Sequence, residues 1–474
     1  MPGAPRVPVL DGPKGRAYLQ PMPHCETLQG PAVPPASPEP DSPGPQEHAM
    51  LEPPDSRLPR QLTALKHRNY RLFFSGQLIS VTGTWIQNVA QGWLVLLITD
   101  PSNRALLMGV ASAIGSLPVL LFSLPAGLVA DRVSKRNLLL VTQSSAMMLA
   151  LALGELTHTD RVTIGIVIVI GFLSGTVNAF DAPTRQSFVI EMVGRRDLMN
   201  AIALNSAMFN GARIAGPAVA GVLIALVGLA GAFFINGASY IAVIIGLMLM
   251  RIDPKPAGRP TSALKGLGEG LRYIRINPLV KSLLALTATV SIFAVSYSVL
   301  MPIFVNDYLK GSAKELGYLV SSVGIGALLG ALTLSSVSPA RSKGKLLLTG
   351  NAVLCVALLA FSYTRQLWLS MCILPAVGWG MMTHLASTNT LIQLSVPDRI
   401  RGRVMSAYTL TLMGMAPIGN LSAGVLAQYL DVPWAIRIGA VATGLCALAL
   451  SGWVLRGSER VRVRMNARYS EVTP

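Results

Sequence analysis

The run Gly127-Leu-Val-Ala-Asp131-Arg132-Val-Ser134-Lys135-Arg136-Asn-Leu138 lies between two long apolar stretches, and its charged residues occupy a link too short to be a domain. Burying such a turn in hydrocarbon is costly, so it belongs at a membrane surface, where it fixes the direction in which its neighbours cross. Composition extends this reading to the whole chain. Of 474 residues, 51% are hydrophobic and 13% charged, and the mean hydropathy is +0.52. Soluble domains carry about 25% charged residues, so this is a polytopic, all-α integral membrane protein.

Windows of about 19 residues place twelve spans. The first six are Tyr70 to Ile98, Leu106 to Ala130, Leu138 to Leu156, Val162 to Ala182, Ala201 to Val227 and Gly231 to Met250. The second six are Leu279 to Val305, Leu316 to Ser338, Leu346 to Tyr363, Leu367 to Ile392, Val404 to Tyr429 and Trp434 to Leu455. An even number puts both termini on one side. Counted from Arg57, terminus-side segments hold 29 lysines and arginines against 6 on the opposite side, so the termini are expected in the cytoplasm. This spread over short loops also accounts for the net charge of +17 without nucleic acid as a partner.

Residues 1–59 hold sixteen of the 32 prolines and no apolar run, and read as a disordered tail. Residues 60–250 form a first six-helix bundle and 279–455 a second. Between them, 251–278 is a linker whose Leu264, Leu267, Leu271 and Ile274 recur at helical spacing among basic residues, as in an interfacial helix. Residues 456–474 form a basic tail; its arginines suit anionic lipid, with a plain solvated end as the alternative. Cys25, Cys355, Cys372 and Cys446 show no paired spacing and read as buried thiols, with no disulfide, zinc or other metal site.

The halves are related. Leu107 to Val110 falls on Glu315 to Tyr318, and Ser134-Lys135 on Ser342-Lys343, both 208 positions apart. Gly211, Gly216 and Gly221 fall on Gly414, Gly419 and Gly424 at an offset of 203. Two pseudo-symmetric six-span halves suggest a site at the repeat interface. Pro217 lies within the first glycine series and Pro417 within the second, both being signals of close helix packing and kinking.

Polar stripes recur every third span. Span 1 carries Gln77, Ser80, Thr84, Gln87 and Gln91; span 4 carries Ser174, Asn178 and Asp181, continuing to Arg185. Span 7 carries Thr287, Ser291 and Ser298, and span 10 carries Thr383, Ser387 and Thr390, with His384 and Thr388 beside them. Such faces avoid lipid, so the four helices are expected to line a shared wet cavity. Arg213 sits twelve residues into span 5, about 18 Å at 1.5 Å per residue, with Asn210 on the same face. It suits an anionic substrate group, or a structural lock on neighbouring helices; both readings stay open. The candidate cavity set is Gln87, Asn88, Gln91, Asn178, Asn210, Arg213, Ser291, Thr383 and His384. Asp181, Glu155 and His384 are candidates to carry a coupling proton. No enzyme motif and no cofactor-binding pattern is evident.

Gly127 to Arg136 resembles the signature loop of the major facilitator superfamily between spans 2 and 3, with Ser134 where glycine is usual. The run around Gly216-Pro217 resembles its antiporter motif. Asn69-Tyr-Arg-Leu-Phe73, Asp181-Ala-Pro-Thr-Arg185-Gln186, Asn200 to Asn205 and Arg401-Gly-Arg403-Val-Met resemble the enterobactin-exporter-like branch, the transmembrane secretion effectors. The resemblance implies a non-enzymatic, monomeric, proton-driven exporter of a siderophore- or drug-like molecule in the bacterial inner membrane. It also implies a conformational latch of Asp131, Arg132, Lys135, Arg136 and Arg403, in which Asp131 meets span 11 near Arg403 and Lys135 or Arg136 meets Asp181. An importer of a metabolite, or a non-transporting sensor or scaffold, are the alternative readings.

Overall fold

The computed structural model describes residues 60–194, 196–251, 263–336 and 343–472. The predicted tail 1–59, Cys25 and the Pro/Gly-rich opening of the linker lie outside them. Ten helical stretches are long and apolar enough to cross a membrane. One of these, Leu198–Leu249, has 52 residues and is broken at Gly228, whose φ of 73° suits glycine; it supplies spans 5 and 6. Arg68–Ile98, 31 residues long, adds span 1, whose polar stripe lowers its hydropathy. The described residues therefore cross twelve times, and no strand occurs among them.

Spans 2, 3 and 4 are Arg104–Arg132, Lys135–His158 and Ile164–Val193. Spans 7 to 12 are Pro278–Tyr308, Ala313–Ser336, Lys343–Tyr363, Leu367–Ser395, Asp398–Leu430 and Val432–Val461. Local chemistry sets several ends. Ser134 caps span 3 by accepting from the Asn137 amide at 3.5 Å, and its φ of −59° needs no glycine, so serine fits this turn. Thr163 caps span 4 and Asn277 caps span 7 in the same manner. Span 7 is interrupted by wider turns at Val290–Ala294 and Phe304–Tyr308, around Pro302; such irregular turns concentrate where a helix serves more than packing.

The linker holds a helix, Ala263–Ile276, expected to be the interfacial helix, and its Tyr273 and Ile274 pack on an apolar cluster of the second half around Leu283, Ile392 and Val404. The helix of span 12 continues through the basic segment to Val472. One expectation is corrected. Cys372 is exposed on span 10 rather than buried, whereas Cys355 is buried, and both are free thiols.

Within the first half, span 1 packs on spans 5 and 6, span 2 on span 4, and span 3 on span 6. Within the second, span 10 packs on spans 8 and 9, and span 12 on spans 7 and 9. The halves meet through span 2 against span 11 and span 5 against span 8. A Cβ on Gly109 would lie 2.7 Å from Gly424 Cα, and one on Gly221 would lie 2.8 Å from Lys314 Cα. Glycine thus permits backbone contact at both seams, at the end of the bundle away from the termini.

Candidate functional site

A cavity of about 700 Å³ opens between the halves. Gln87, Asn88 and Gln91 of span 1 and Ser174, Asn178, Asp181 and Arg185 of span 4 form its polar wall, with Gln143 of span 3 beside them. Trp85, Phe209, Met108 and Met301 supply apolar surface. The mixture of amides and aromatic faces matches small-molecule pockets, where a few polar groups orient a largely apolar ligand.

The charges in this wall are organised around Asp181, which is 4% exposed. Oδ1 accepts from Thr142 Oγ1 at 2.9 Å and Gln143 Nε2 at 2.7 Å, and Oδ2 faces Arg185 Nη2 at 3.2 Å. Arg185 also donates to Gln77 Oε1 at 2.9 Å and lies 5.1 Å above the Phe209 ring. The guanidinium can therefore loosen from Asp181 while keeping two other contacts. Gln87 accepts from Asn236 of span 6, which orients its amide.

Spans 1, 4 and 7 present parts of their stripes to the cavity, but span 10 does not. Thr383, His384, Ser387 and Thr388 are all fully buried where span 10 packs on spans 8 and 9. His384 Nδ1 lies 2.9 Å from Asn351 Nδ2, whose N–H donates to it. Glycines at 330 and 350 admit Thr383 so closely that the stripe turns into a helix seam. Ser291 donates to Leu412 O at 2.7 Å and Asn210 to Ser206 O at 2.8 Å, both outside the cavity lining. Arg213 is half-buried at the span 5 to span 8 seam, its carbonyl 2.9 Å from a Cβ built on Gly324. Glu155 is exposed near the far end of span 3. Sequence reading treated Arg185 only as the end of a stripe. Its i,i+4 spacing from Asp181 was the signal that the two would pair.

The latch residues are apart in this structure. Asp131 and Arg132 are exposed. Lys135 pairs with Glu191, and Arg136 donates to the Leu247 and Met248 carbonyls at 2.7 and 2.8 Å. Neither reaches Asp181, because Glu191 stands ten residues, about 15 Å, nearer the helix end. Arg403 pairs with Glu269 of the interfacial helix. Of the packing residues, Gly216 meets Trp85, Gly221 meets Lys314, Gly317 meets Pro217, Gly414 meets Leu120, Gly419 meets Ile292, and Gly424 meets Gly109, while Gly211 faces open space.

At the end opposite the termini, Gln428 bridges to span 2 through the Ser102 carbonyl and the Leu106 amide, and Arg104 lies 3.6 Å from Asp307. Among the described residues, the hydrogen bonds and ion pairs between the two halves all fall at this far end. The halves are thus tied together there and unlatched on the terminus side.

Residues 60–472 match the model of the transmembrane secretion effectors. The chain is 27% identical to the multidrug efflux pump Tap of Mycolicibacterium fortuitum over 380 residues, covering 77% of this chain and 91% of Tap. It is 23% identical to the staphyloferrin A transporter of Staphylococcus aureus, covering 79% and 93%. It is also 23% identical to the enterobactin exporter EntS of Shigella boydii, covering 76% and 87%. Among solved structures, a bacterial homologue of the lysosomal transporter Spinster, inward-facing and unoccupied, superposes with a TM-score of 0.64 at 15% identity, covering 86% of this chain and 99% of that one. An inward-facing bacterial homologue of ferroportin gives 0.60 at 16% identity, covering 81% and 98%.

Proposed function

We propose that this chain, which belongs to the transmembrane secretion effector family of the major facilitator superfamily, exports a small siderophore- or drug-like molecule by proton antiport. Membership makes it a multi-pass transporter and not an enzyme. The exporter names of its relatives support the direction of transport. The observation that carries the mechanism is the Asp181–Arg185 pair on the cavity wall. A donor group of substrate bound among Gln87, Asn88, Gln91 and Asn178 takes the place of the Arg185 guanidinium at the ionised Asp181. A proton entering from the far side neutralises Asp181 and expels that group, so substrate and proton exclude one another, as antiport requires. Ser298, Thr84 and Tyr240 complete the wall and orient polar groups of the cargo. Thr383, His384, Ser291, Asn210, Arg213 and Glu155 then stabilise packing or ends rather than bind cargo or protons.

With the basic side placed in the cytoplasm of a bacterial inner membrane, the arrangement is inward-facing and ready to load cargo. Rocking of the halves about the seams of spans 2 and 11 and spans 5 and 8 supplies alternating access, and the monomer contains all of its parts. Protons and bilayer lipids are its further partners. Proton flux in everted vesicles tests this reading: an accepted compound should draw protons out of the vesicle lumen. Substrate movement without flux under any gradient overturns the coupling.

A further inference from the structure

The two halves carry the same groove at the membrane surface on the terminus side. In the first half, a groove of about 390 Å³ lies between the start of span 1, with Arg68 and Asn69, the end of span 4 at Met192, and Arg251 after span 6. In the second, a groove of about 340 Å³ lies between Tyr273 and Asn277 before span 7, Ser395 ending span 10, and Trp453, Arg456 and Arg460 of span 12. Asn69 corresponds to Asn277 at an offset of 208, Met192 to Ser395 at 203, and Arg251 to Arg456 at 205. The first two offsets are those relating the halves elsewhere and the third falls between them, so duplication has placed an arginine opposite an asparagine at the first-to-last helix seam of each repeat.

The second groove is amphipathic along the membrane normal. Trp453 is 55% exposed and Ile276 72% exposed, and both line the groove with apolar surface. Arg456 lies three residues beyond Trp453, about 4.5 Å higher at 1.5 Å per residue, and Arg460 one turn further on the same face. Tryptophan settles at the level of lipid headgroups, and arginines just above it reach phosphate oxygens. Asn277 Nδ2 donates to Tyr273 Oη at 3.0 Å, and Tyr273 Oη donates to the Ser395 carbonyl at 3.2 Å, so those groups serve the protein. Arg456 and Arg460 make no hydrogen bond or ion pair among the described residues. Glu459 is exposed on the same turn, against four arginines between 456 and 464.

In the first groove, Arg68 Nη1 donates to the Leu249 carbonyl at 3.2 Å, and Asn69 Nδ2 donates to the Arg251 carbonyl at 2.8 Å. The Arg251 guanidinium is left as the donor facing outward. It has no tryptophan beside it, so this copy holds its ligand less strongly.

We propose that each groove seats the headgroup of one anionic phospholipid, with Arg456 and Arg460 binding the phosphodiester in the second half and Arg251 in the first. A zwitterionic headgroup brings a quaternary ammonium against the same arginines and is disfavoured.

Native mass spectrometry of the full chain, released from detergent micelles containing phosphatidylglycerol or phosphatidylcholine, tests this. Wild type should retain two phosphatidylglycerols, the first about tenfold more persistently than phosphatidylcholine, in keeping with the gain per basic residue at an anionic surface. Arg456→Gln/Arg460→Gln should lose the stronger adduct, Arg251→Gln the weaker, and Arg456→Lys/Arg460→Lys should keep most of it. The lysine variant holds even if the glutamine variant folds poorly. Equal retention of phosphatidylcholine, or unchanged adducts in the glutamine variants, overturns the proposal. Displacement by excess inorganic phosphate at concentrations that leave the micelle intact also overturns it, by marking a free-phosphate site.

Discussion

Arg403 and Glu269 form an ion pair that joins the first turns of span 11 to the helix preceding span 7, and Arg399 contacts the same carboxylate at 2.6 Å. Asp131, on the opposite half, stands exposed. In the proposed latch, closure of the terminus side brings Asp131 to span 11, where Arg403 is already engaged, so Glu269 and Asp131 would compete for one guanidinium. Glu269→Gln should favour the closed terminus side and Asp131→Asn the open one. The pair is more than a third exposed, so each shift should be worth no more than about 1 kcal/mol, roughly a fivefold change in population. Spin labels on the span 2–3 link and the start of span 11 should register opposite changes in distance, and identical distributions would remove the competition. Transport by Asp131→Asn should fall while expression and folding persist.

The Asp181–Arg185 pair yields a different signature. Asp181→Asn leaves a group that still accepts from Thr142 and Gln143 but cannot carry a proton. Uphill efflux driven by a pH gradient should drop at least tenfold, while binding of cargo, followed through Trp85 fluorescence, changes by less than about threefold, about 0.6 kcal/mol, the low end for a hydrogen bond, because the asparagine oxygen still accepts. Arg185→Lys keeps the charge but not the bridge to Gln77 and Phe209, and should weaken cargo binding instead. Full pH-driven efflux by Asp181→Asn would exclude it as the proton carrier.

Most of the architecture was legible in the chain, and the reason is physical. A helix that spans a bilayer has a set length and satisfies its own backbone, so apolar runs and the Asp131 to Arg136 turn translate directly into spans. The span 1 and span 4 stripes also translated, since Gln87, Asn88, Gln91, Asn178 and Asp181 converge on one cavity. Span 10 did not, because a stripe gives a helix face without saying which neighbour covers it. Asn351 on span 9, in a segment with no stripe of its own, takes His384. The partner of Arg403 was hidden for a similar reason: Glu269 sits in a linker whose helix shows periodicity but whose docking depends on Tyr273 and Ile274 finding the second half.

The far-end seal should be the most sensitive to bulk. Gly109 and Gly424 approach so closely that a methyl on either meets the other backbone at 2.7 Å. Gly424→Leu should hold spans 2 and 11 apart there, costing about 1–3 kcal/mol of the closed far side and opening the cavity to the opposite surface. Alkylation of a single cysteine placed at Asn88 by an impermeant reagent from that side should rise severalfold. Unchanged labelling would mean that the seam does not gate access.

Asp197 anchors the entry to span 1 in a pH-dependent way. Its carboxylate, 11% exposed, lies 3.0 Å from Lys66 Nζ and 2.7 Å from His67 Nε2, tying the short helix Arg60–Lys66 to the link before span 5. Burial alone would raise its pKa, but the hydrogen bonds and charges of His67 and Lys66 outweigh that and hold it below the ordinary aspartate value. A carboxylate lowered on folding adds stability that is fully present above its unfolded pKa of about 3.9 and is lost as pH falls through the folded value. Asp197→Asn should therefore cost about 1 kcal/mol at neutral pH, seen as a lower melting temperature in detergent. The gap between wild type and variant should persist while the carboxylate is ionised and close below about 4, as the wild-type carboxylate is protonated. A gap that persists below about pH 3 would show that the anchor depends on another group.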